Sequence, residues 1–356
     1  MRWLTIFYRM IPLLACLTAP AAAEDAPRIV VTIAPVHSLV AGIAEGVAEP
    51  TLIMQGTASP HAFAMKPSQA KALEGADVIV RVGETLETSL DKPIEALGTS
   101  ALVVTLDGAP DMRLLPMREG GVWEAHDHAH DHAKDSHDHD AHDHGKKDEA
   151  GVGAKAQDKD SHGHDDHGHS KAEDAHDDHG HGDQAHNPHI WLDPKNAIVA
   201  VDQIAQALAK ADPDHAGQYE TNAAKLKQKL TALDAELTEL TKPLHGQPYL
   251  VFHDAYPYFE SRYGLNPVGA ITVSPERQPG AKRIGQIRAK VRELGAVCIF
   301  AEPQFEPKLI GTIVDGTQSR SGVLDPLGAS LEPGPDLYFT LMRNMAQALG
   351  DCLNVS

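Results

Sequence analysis

The sequence of 356 residues is poor in aromatic side chains, has three cysteines and carries no excess of positive charge. Lysine and arginine number 31 against 50 aspartates and glutamates, and the net charge is −19. An acidic chain without a basic patch is repelled by phosphate-rich surfaces, which argues against nucleic acid as a partner. The sequence also contains no His-Glu-x-x-His helix, Gly-x-Ser-x-Gly elbow or phosphate-binding glycine loop, which argues against an enzyme.

The longest N-terminal apolar run, residues 10–17, is far shorter than the about 20 residues of a membrane span. It follows Arg2 and Arg9 and precedes three alanines, 21–23. This pattern is typical of a secretory signal peptide that is cleaved before Glu24. We therefore expect an exported, periplasmic protein.

The number of cysteines in the mature chain depends on where this segment is cleaved. Residues 13–16 also resemble a bacterial lipoprotein box, in which Cys16 would be lipidated. If cleavage follows Ala23 instead, only Cys298 and Cys352 remain in the mature chain. In an oxidising compartment two cysteines permit one pairing, and we predict the disulfide Cys298–Cys352. Two buried free thiols are the alternative.

Residues 124–186 differ in composition from the rest of the chain. They hold 16 of the 22 histidines and 18 acidic residues against 6 lysines. Such a segment cannot bury a core, so we predict a disordered insertion. Its many imidazoles, neutral near pH 7, suggest a collector of weakly bound zinc. A solvated acidic tether without a metal role is the alternative.

Outside this insertion, short β-branched runs alternate with helical patterns, which predicts α/β architecture with parallel sheets. The predicted strands are residues 28–33, 51–54, 78–82 and 101–106 before the insertion and 249–253, 269–272, 297–301 and 322–324 after it. Residues 85–97 have helical character, and Asp193 and Pro194 predict the start of another helix. Tyr219, Ala223, Leu226, Leu230, Leu233, Leu237 and Leu240 recur at spacings of three and four. They predict one rigid helix of about 28 residues, some 40 Å long, between two halves. The predicted organisation is a signal peptide (1–23), an N-terminal lobe (24–211), a linking helix (212–243) and a C-terminal lobe (244–356).

Four metal-competent side chains follow predicted strands or the insertion. They are His61, His189, His253 and Asp325. Ligands of open parallel sheets bind outside the carboxyl ends of the strands, and three imidazoles with a carboxylate or water suit tetrahedral Zn(II). The spacing by itself is weak evidence, because single histidines at strand ends are more often structural.

The peptides around these residues strengthen the hypothesis. They are Ser59-Pro60-His61-Ala62-Phe63, Pro188-His189-Ile190-Trp191-Leu192, Phe252-His253-Asp254-Ala255-Tyr256, Ala301-Glu302-Pro303-Gln304-Phe305 and Leu324-Asp325-Pro326-Leu327-Gly328. With them the chain resembles the periplasmic high-affinity zinc-binding proteins of ABC uptake systems. The resemblance implies two α/β lobes, a rigid linking helix and one Zn(II), the transported ligand, in the cleft between the lobes. It also implies a disulfide between the C-terminal helix and a core strand.

The resemblance further implies that His61, His189 and His253 bind the metal. Manganese and iron receptors of the same fold tend to have a carboxylate at the third position, so His253 favours zinc. Some zinc-binding members have a glutamate just before the first histidine, where this chain has Pro60. The fourth ligand therefore stays open between Asp325, water and Glu302.

The implied partner is an inner-membrane zinc ABC permease, with a periplasmic zinc chaperone as a further candidate and a monomer as the expected state. The alternatives are a manganese or iron receptor of this fold and a zinc-dependent hydrolase, since three histidines and a water also describe catalytic sites.

Overall fold

The computed structural model describes residues 26–118, 186–272, 280–305 and 307–354. The predicted signal peptide, Cys16 and the histidine-rich insertion apart from His186 lie outside the described residues. Within the described part, no helix combines the length and the apolar character that a membrane span needs.

The first half of the chain forms a parallel four-stranded sheet in the order β2-β1-β3-β4. Its strands are β1 (Ile29–Val31), β2 (Thr51–Leu52), β3 (Val78–Arg81) and β4 (Leu102–Thr105). The helices between them are α1 (Ala34–Ile43), α2 (Pro67–Glu74) and α3 (Asp91–Leu97). Parallel neighbours joined by helices confirm the predicted βαβ arrangement.

Helix α3 is shorter than the helical pattern over residues 85–97 predicts. A 3-10 turn, Thr88–Leu90, precedes it. The Glu87 carboxylate accepts hydrogen bonds from the amides of Val82 (3.1 Å) and Gly83 (2.9 Å). These bonds hold the chain against the end of β3, so the helix begins only at Asp91.

The second half forms a matching parallel sheet in the order β6-β5-β7-β8. Its strands are β5 (Pro248–His253), β6 (Asn266–Thr272), β7 (Cys298–Ala301) and β8 (Arg320–Val323). Helices α4 (Pro194–Ala211) and α5 (Ala216–Thr241) precede the sheet, and α6 (Pro257–Tyr263), α7 (Ala281–Leu294), α8 (Pro307–Val314) and α9 (Leu337–Leu353) connect or follow its strands.

Both faces of the second sheet are buried, as parallel sheets require. Along β5, Tyr249 and Val251 enter a large apolar core that also contains side chains of the first sheet. The alternate residues, Leu250 and Phe252, enter a smaller core together with residues of α7 and α8. The alternation follows the two-residue period of a strand.

Helix α4 begins as its sequence predicts. Pro194 is its first residue, and the Asp193 carboxylate accepts a hydrogen bond from the Lys195 amide at 2.9 Å. A side-chain acceptor at this position satisfies an amide that has no partner within the helix.

Helix α5 is 26 residues long and packs against α1, α4, α6 and α9. Leu230, Leu233 and Leu237 are buried as predicted, but Leu240 was wrongly placed in this stripe and is 44% exposed. The next buried residue is Thr241. With 3.6 residues per turn, the core face advances from Leu237 by four positions and not three.

The disulfide Cys298–Cys352 is present and joins β7 to α9. Helix α9 also packs against α1 of the first half. The Ser38 hydroxyl on α1 donates to the Pro335 carbonyl at 3.0 Å and accepts from the Tyr338 amide at 3.0 Å. The end of the chain is thus tied to the second sheet covalently and to the first half by packing and hydrogen bonds.

Candidate metal centre

Three imidazoles meet at one point, although they come from distant parts of the chain. His61 lies in a 3-10 turn, Pro60–Ala62, after β2. His189 precedes a second 3-10 turn, Ile190–Leu192, which leads into α4. His253 is the last residue of β5. Among the described residues they are the one group of three or more histidine, cysteine or carboxylate side chains whose donor atoms lie within 4.8 Å of one another.

The separations between the ring nitrogens match a tetrahedral site. The Nε2 atom of His189 lies 3.3 Å from Nε2 of His61 and 3.2 Å from Nε2 of His253. Zinc–nitrogen bonds of about 2.0–2.1 Å at the tetrahedral angle place two ligand nitrogens about 3.3–3.4 Å apart. The cluster is therefore close to the spacing that Zn(II) prefers.

Each of two rings has a hydrogen-bond partner that sets its tautomer. His189 donates through Nδ1 to the Asn187 side-chain oxygen at 2.9 Å, and its backbone amide donates to the same oxygen at 3.1 Å. His253 donates through Nδ1 to the Glu302 carboxylate at 2.7 Å. With Nδ1 protonated, Nε2 of each neutral ring carries a lone pair.

Glu302 reaches this position because it directly follows β7, the neighbour of β5. Its side chain is 1% exposed, and its carboxylate also accepts from the His253 backbone amide at 3.3 Å. A carboxylate that holds the outer nitrogen of a histidine orients the ring and increases its basicity toward a metal.

The lone pairs of His189 and His253 therefore point at each other across 3.2 Å. Two acceptors this close repel each other unless a cation or a proton lies between them. The Nε2 atom of His61 lies 3.3 Å from that of His189, so the three rings together form an arrangement that can hold a cation.

Burial favours the neutral, metal-binding form of these rings. Desolvation, followed by the electrostatic interaction with the neighbouring His253 ring, lowers the pKa of His61 to about 3. The same causes, with His61 as a third, hold the pKa of His189 well below its usual value of 6.5. Both rings are therefore ready to bind a metal at neutral pH.

A small pocket adjoins the three rings. The Trp191 ring lies 5.2 Å from that of His189, and the Phe305 ring lies 6.1 Å from that of His253. Pocket residues that contribute no imidazole are Ser59, Pro60, Trp191, Glu302, Gln304, Phe305, Pro326 and Leu327. The mostly apolar lining limits the competition of water with the ligands.

Asp325, the fourth predicted site residue, is not part of this group of donors. Its carboxylate accepts backbone hydrogen bonds from Leu327 (3.0 Å), Gly328 (2.9 Å) and Ala329 (2.6 Å). It also accepts from the Gln304 side chain at 3.2 Å. The carboxylate thus holds the turn after β8, and the geometry does not bring it to the three rings.

Sequence reasoning missed the positioning role of Asn187. This residue stands two places before His189, where a short amide side chain can bond the backbone and ring of the second residue along. That local signal was available in the sequence. The pairing of Glu302 with His253 spans 49 residues and depends on the strand order, which no local signal gives.

An α/β chain with two parallel sheets and three converging imidazoles is a metal-binding protein by its fold and donor set. The family described as "Zinc-uptake complex component A periplasmic" (ZnuA) matches residues 29–352. The chain belongs to this family.

Individual relatives agree with this assignment. The chain is 49% identical over 333 residues to the high-affinity zinc uptake system protein ZnuA of Brucella suis, covering 93% of each chain. It is 34% identical to the protein of the same name from Yersinia pestis, covering 91% of each. The structure of the periplasmic zinc-binding protein TroA from Treponema pallidum matches with a TM-score of 0.68 and 20% identity, covering 93% of this chain and 100% of that one. This last likeness concerns the fold alone.

Membership confirms the resemblance seen in the sequence. The family consists of periplasmic zinc-binding components of zinc uptake, and Zn(II) is the ligand that they transport. They are not enzymes, so the zinc-dependent hydrolase is excluded as an alternative.

Proposed function

We propose that this protein captures Zn(II) in a cleft between its two lobes and delivers it to an inner-membrane ABC permease. His61, His189 and His253 are the protein ligands, each through Nε2. The observation that carries the proposal is the convergence of these atoms, with separations of 3.2 and 3.3 Å and two of the outer nitrogens held by acceptors.

Water takes the fourth coordination position in this proposal. The Asp325 carboxylate already accepts four hydrogen bonds, and the Glu302 carboxylate is engaged by Nδ1 of His253. Neither is free to turn toward the rings without giving up these bonds. A position filled by water is also one that a permease can open for release.

The names of the relatives support delivery and location. The Brucella suis and Yersinia pestis proteins are called high-affinity zinc uptake system proteins, which fits a signal peptide over residues 1–23 and export to the periplasm. We further propose that the protein acts as a monomer, which light scattering would check, and that a periplasmic zinc chaperone can load it.

The metal preference is tested by competitive titration with zinc, manganese and iron. A site of three neutral imidazoles and a water should select zinc, because manganese prefers oxygen ligands. Deleting residues 124–186 should leave one tight zinc site and remove several weak ones. Tighter binding of manganese than of zinc would support the alternative receptor instead.

The ligands are tested by replacing each in turn. His61→Ala, His189→Ala and His253→Ala should each weaken the tight site about tenfold or more, since a ligand is lost outright. His245→Ala is the matched control, because that histidine is exposed and lies outside the cluster. Isothermal titration of the shortened chain gives the affinities, and unchanged binding in all three variants would refute the site.

A further inference from the structure

A group of buried charges adjoins the metal centre and has no part in the proposed coordination. Asp254 and Glu260 are each 3% exposed. Arg118 donates through Nε to Asp254 Oδ1 at 2.8 Å, and its Nη1 forms an ion pair with Glu260 Oε2 at 2.7 Å. The other carboxylate oxygen of Glu260 accepts from the Tyr249 hydroxyl at 3.2 Å.

This group is linked to two of the proposed ligands. Asp254 directly follows His253 in the chain. Its backbone carbonyl accepts a hydrogen bond from the Asn187 side-chain nitrogen at 2.6 Å, and the oxygen of the same amide accepts from His189 Nδ1 at 2.9 Å. Any shift of Asp254 therefore reaches His253 through the backbone and His189 through Asn187.

Among the described residues, Arg118 is the one basic residue that forms an ion pair with Asp254 or Glu260. A guanidinium can bond two acceptors at once from one rigid plane. If it is removed, both carboxylates lose their cation in a medium of low dielectric, and a buried carboxylate without a partner gains by taking up a proton or by moving toward water. The turn that carries His253 and Asp254 would move with it.

We propose that Arg118 is a positioning residue of the zinc site, which holds His253 and His189 in place through Asp254. This proposal rests on the proposed function, because it assumes that the two histidines bind zinc. It adds a residue from the chain that leads into the histidine-rich insertion, 57 positions from His61, 71 from His189 and 135 from His253.

The experiment measures how fast zinc leaves the site. The mature full-length protein is loaded with one equivalent of Zn(II), so that the tightest site fills first, and is then mixed with an excess of a chromophoric chelator. Arg118→Met should accelerate release about tenfold, the lower range for loss of a partner outside the coordination sphere. Adding Asp254→Asn to this variant removes the unpaired charge beside His253 and should bring the rate back toward that of the parent.

The matched control is Arg343→Met. Arg343 forms a two-pronged ion pair with Glu236 at 2.8 and 2.7 Å between α9 and α5, and both side chains are over 40% exposed. This variant should release zinc at the parental rate. Zinc release at the parental rate from Arg118→Met would overturn the proposal. Fast release that the added Asp254→Asn does not slow would also overturn it, because an arginine with a purely structural role predicts one of these two results.

If Arg118→Met does not fold, Arg118→Lys is used to test the proposal instead. The lysine retains the charge but cannot reach both carboxylates as a planar fork, so zinc should still leave faster than from the parent. A parental rate in this variant would then overturn the proposal. Failure of this proposal can be distinguished from failure of the proposed function. If the proposed function is wrong, the three His→Ala variants also keep their zinc.

Discussion

At the scale of single residues, the proposed metal centre is prepared by partners that are not among its proposed ligands. The Asn187 amide and the Glu302 carboxylate each accept the Nδ1 proton of one histidine. They decide which nitrogen faces the pocket, and they stop the rings from rotating. Three histidines without such partners would have to be ordered by the metal itself, at the expense of affinity.

Burial of the rings also makes the metal-free protein sensitive to acid. The pKa of His61 falls to about 3 in the folded protein, mainly through burial, against about 6.5 in the unfolded chain. Between these values the unfolded chain binds more protons than the folded one. His61 therefore does not lower the free energy of unfolding above about pH 6.5. Below that value its protonation in the unfolded chain lowers this free energy increasingly as the pH falls toward 3.

The corresponding prediction compares the parent with His61→Gln. The metal-free parent should lose more thermal stability than the variant between about pH 7 and about pH 5, because glutamine has no proton to bind. Melting temperatures at several pH values within this range measure the effect. Equal losses in the two proteins would show that His61 does not resist protonation when folded.

At the scale of elements, the sheet order decides which side chains meet. His253 ends β5 and Glu302 follows β7, and these two strands are neighbours in a parallel sheet. Their carboxyl ends therefore lie at the same edge. A strand order with β7 elsewhere would leave the Glu302 carboxylate without its histidine.

The disulfide belongs to the same scale, because it fastens α9 to the strand that precedes Glu302. Its loss should destabilise the protein by about 2–5 kcal/mol, as is usual for a native disulfide that closes a long loop. Unfolding by urea with and without reductant measures this, and the double variant Cys298→Ser with Cys352→Ser is the control that should no longer respond to reductant. An unchanged midpoint on reduction would contradict the prediction.

The sequence predicted most of these elements, because the period of apolar residues is a local property. The eight strands and the long helix α5 were all expected, and the Asp193–Pro194 start of α4 was read from two adjacent residues. Helix α6 was not, since its seven residues offer too few turns for a periodic pattern. Leu240 was misplaced because the next buried residue of a helix can lie either three or four positions further along. Only the packing of the helix shows which of the two positions is buried.

At the scale of the whole molecule, the two halves are joined by more than the linking helix. Helix α5 packs against helices of both halves, and α9 returns from the second sheet to α1. The Tyr338 hydroxyl on α9 donates to the Trp191 carbonyl, two residues from His189, at 2.7 Å. One apolar core contains side chains of both sheets, so a rotation between the halves would expose apolar surface.

We therefore predict that zinc orders loops around the site without a large hinge motion. Crystal structures of the metal-free and zinc-loaded protein should superpose as one body, with differences concentrated at the turn that carries His61, since that turn leaves the sheet after a strand of two residues. Small-angle scattering of both forms provides the check in solution. A large rotation of one half against the other would contradict this mechanism.

From the sequence alone we predicted the α/β class, the positions of the strands and long helices, the pairing of Cys298 with Cys352 and the three candidate histidines. These follow from local periodicity, composition and short peptides, which do not depend on distant contacts. Only the tertiary structure decided which nitrogen of each ring faces the others, that Glu302 holds His253, that Asp325 holds a turn, and that Arg118 reaches Asp254. Each of these depends on sheet order and side-chain direction, which bring together residues that are 49 to 136 positions apart or share a turn.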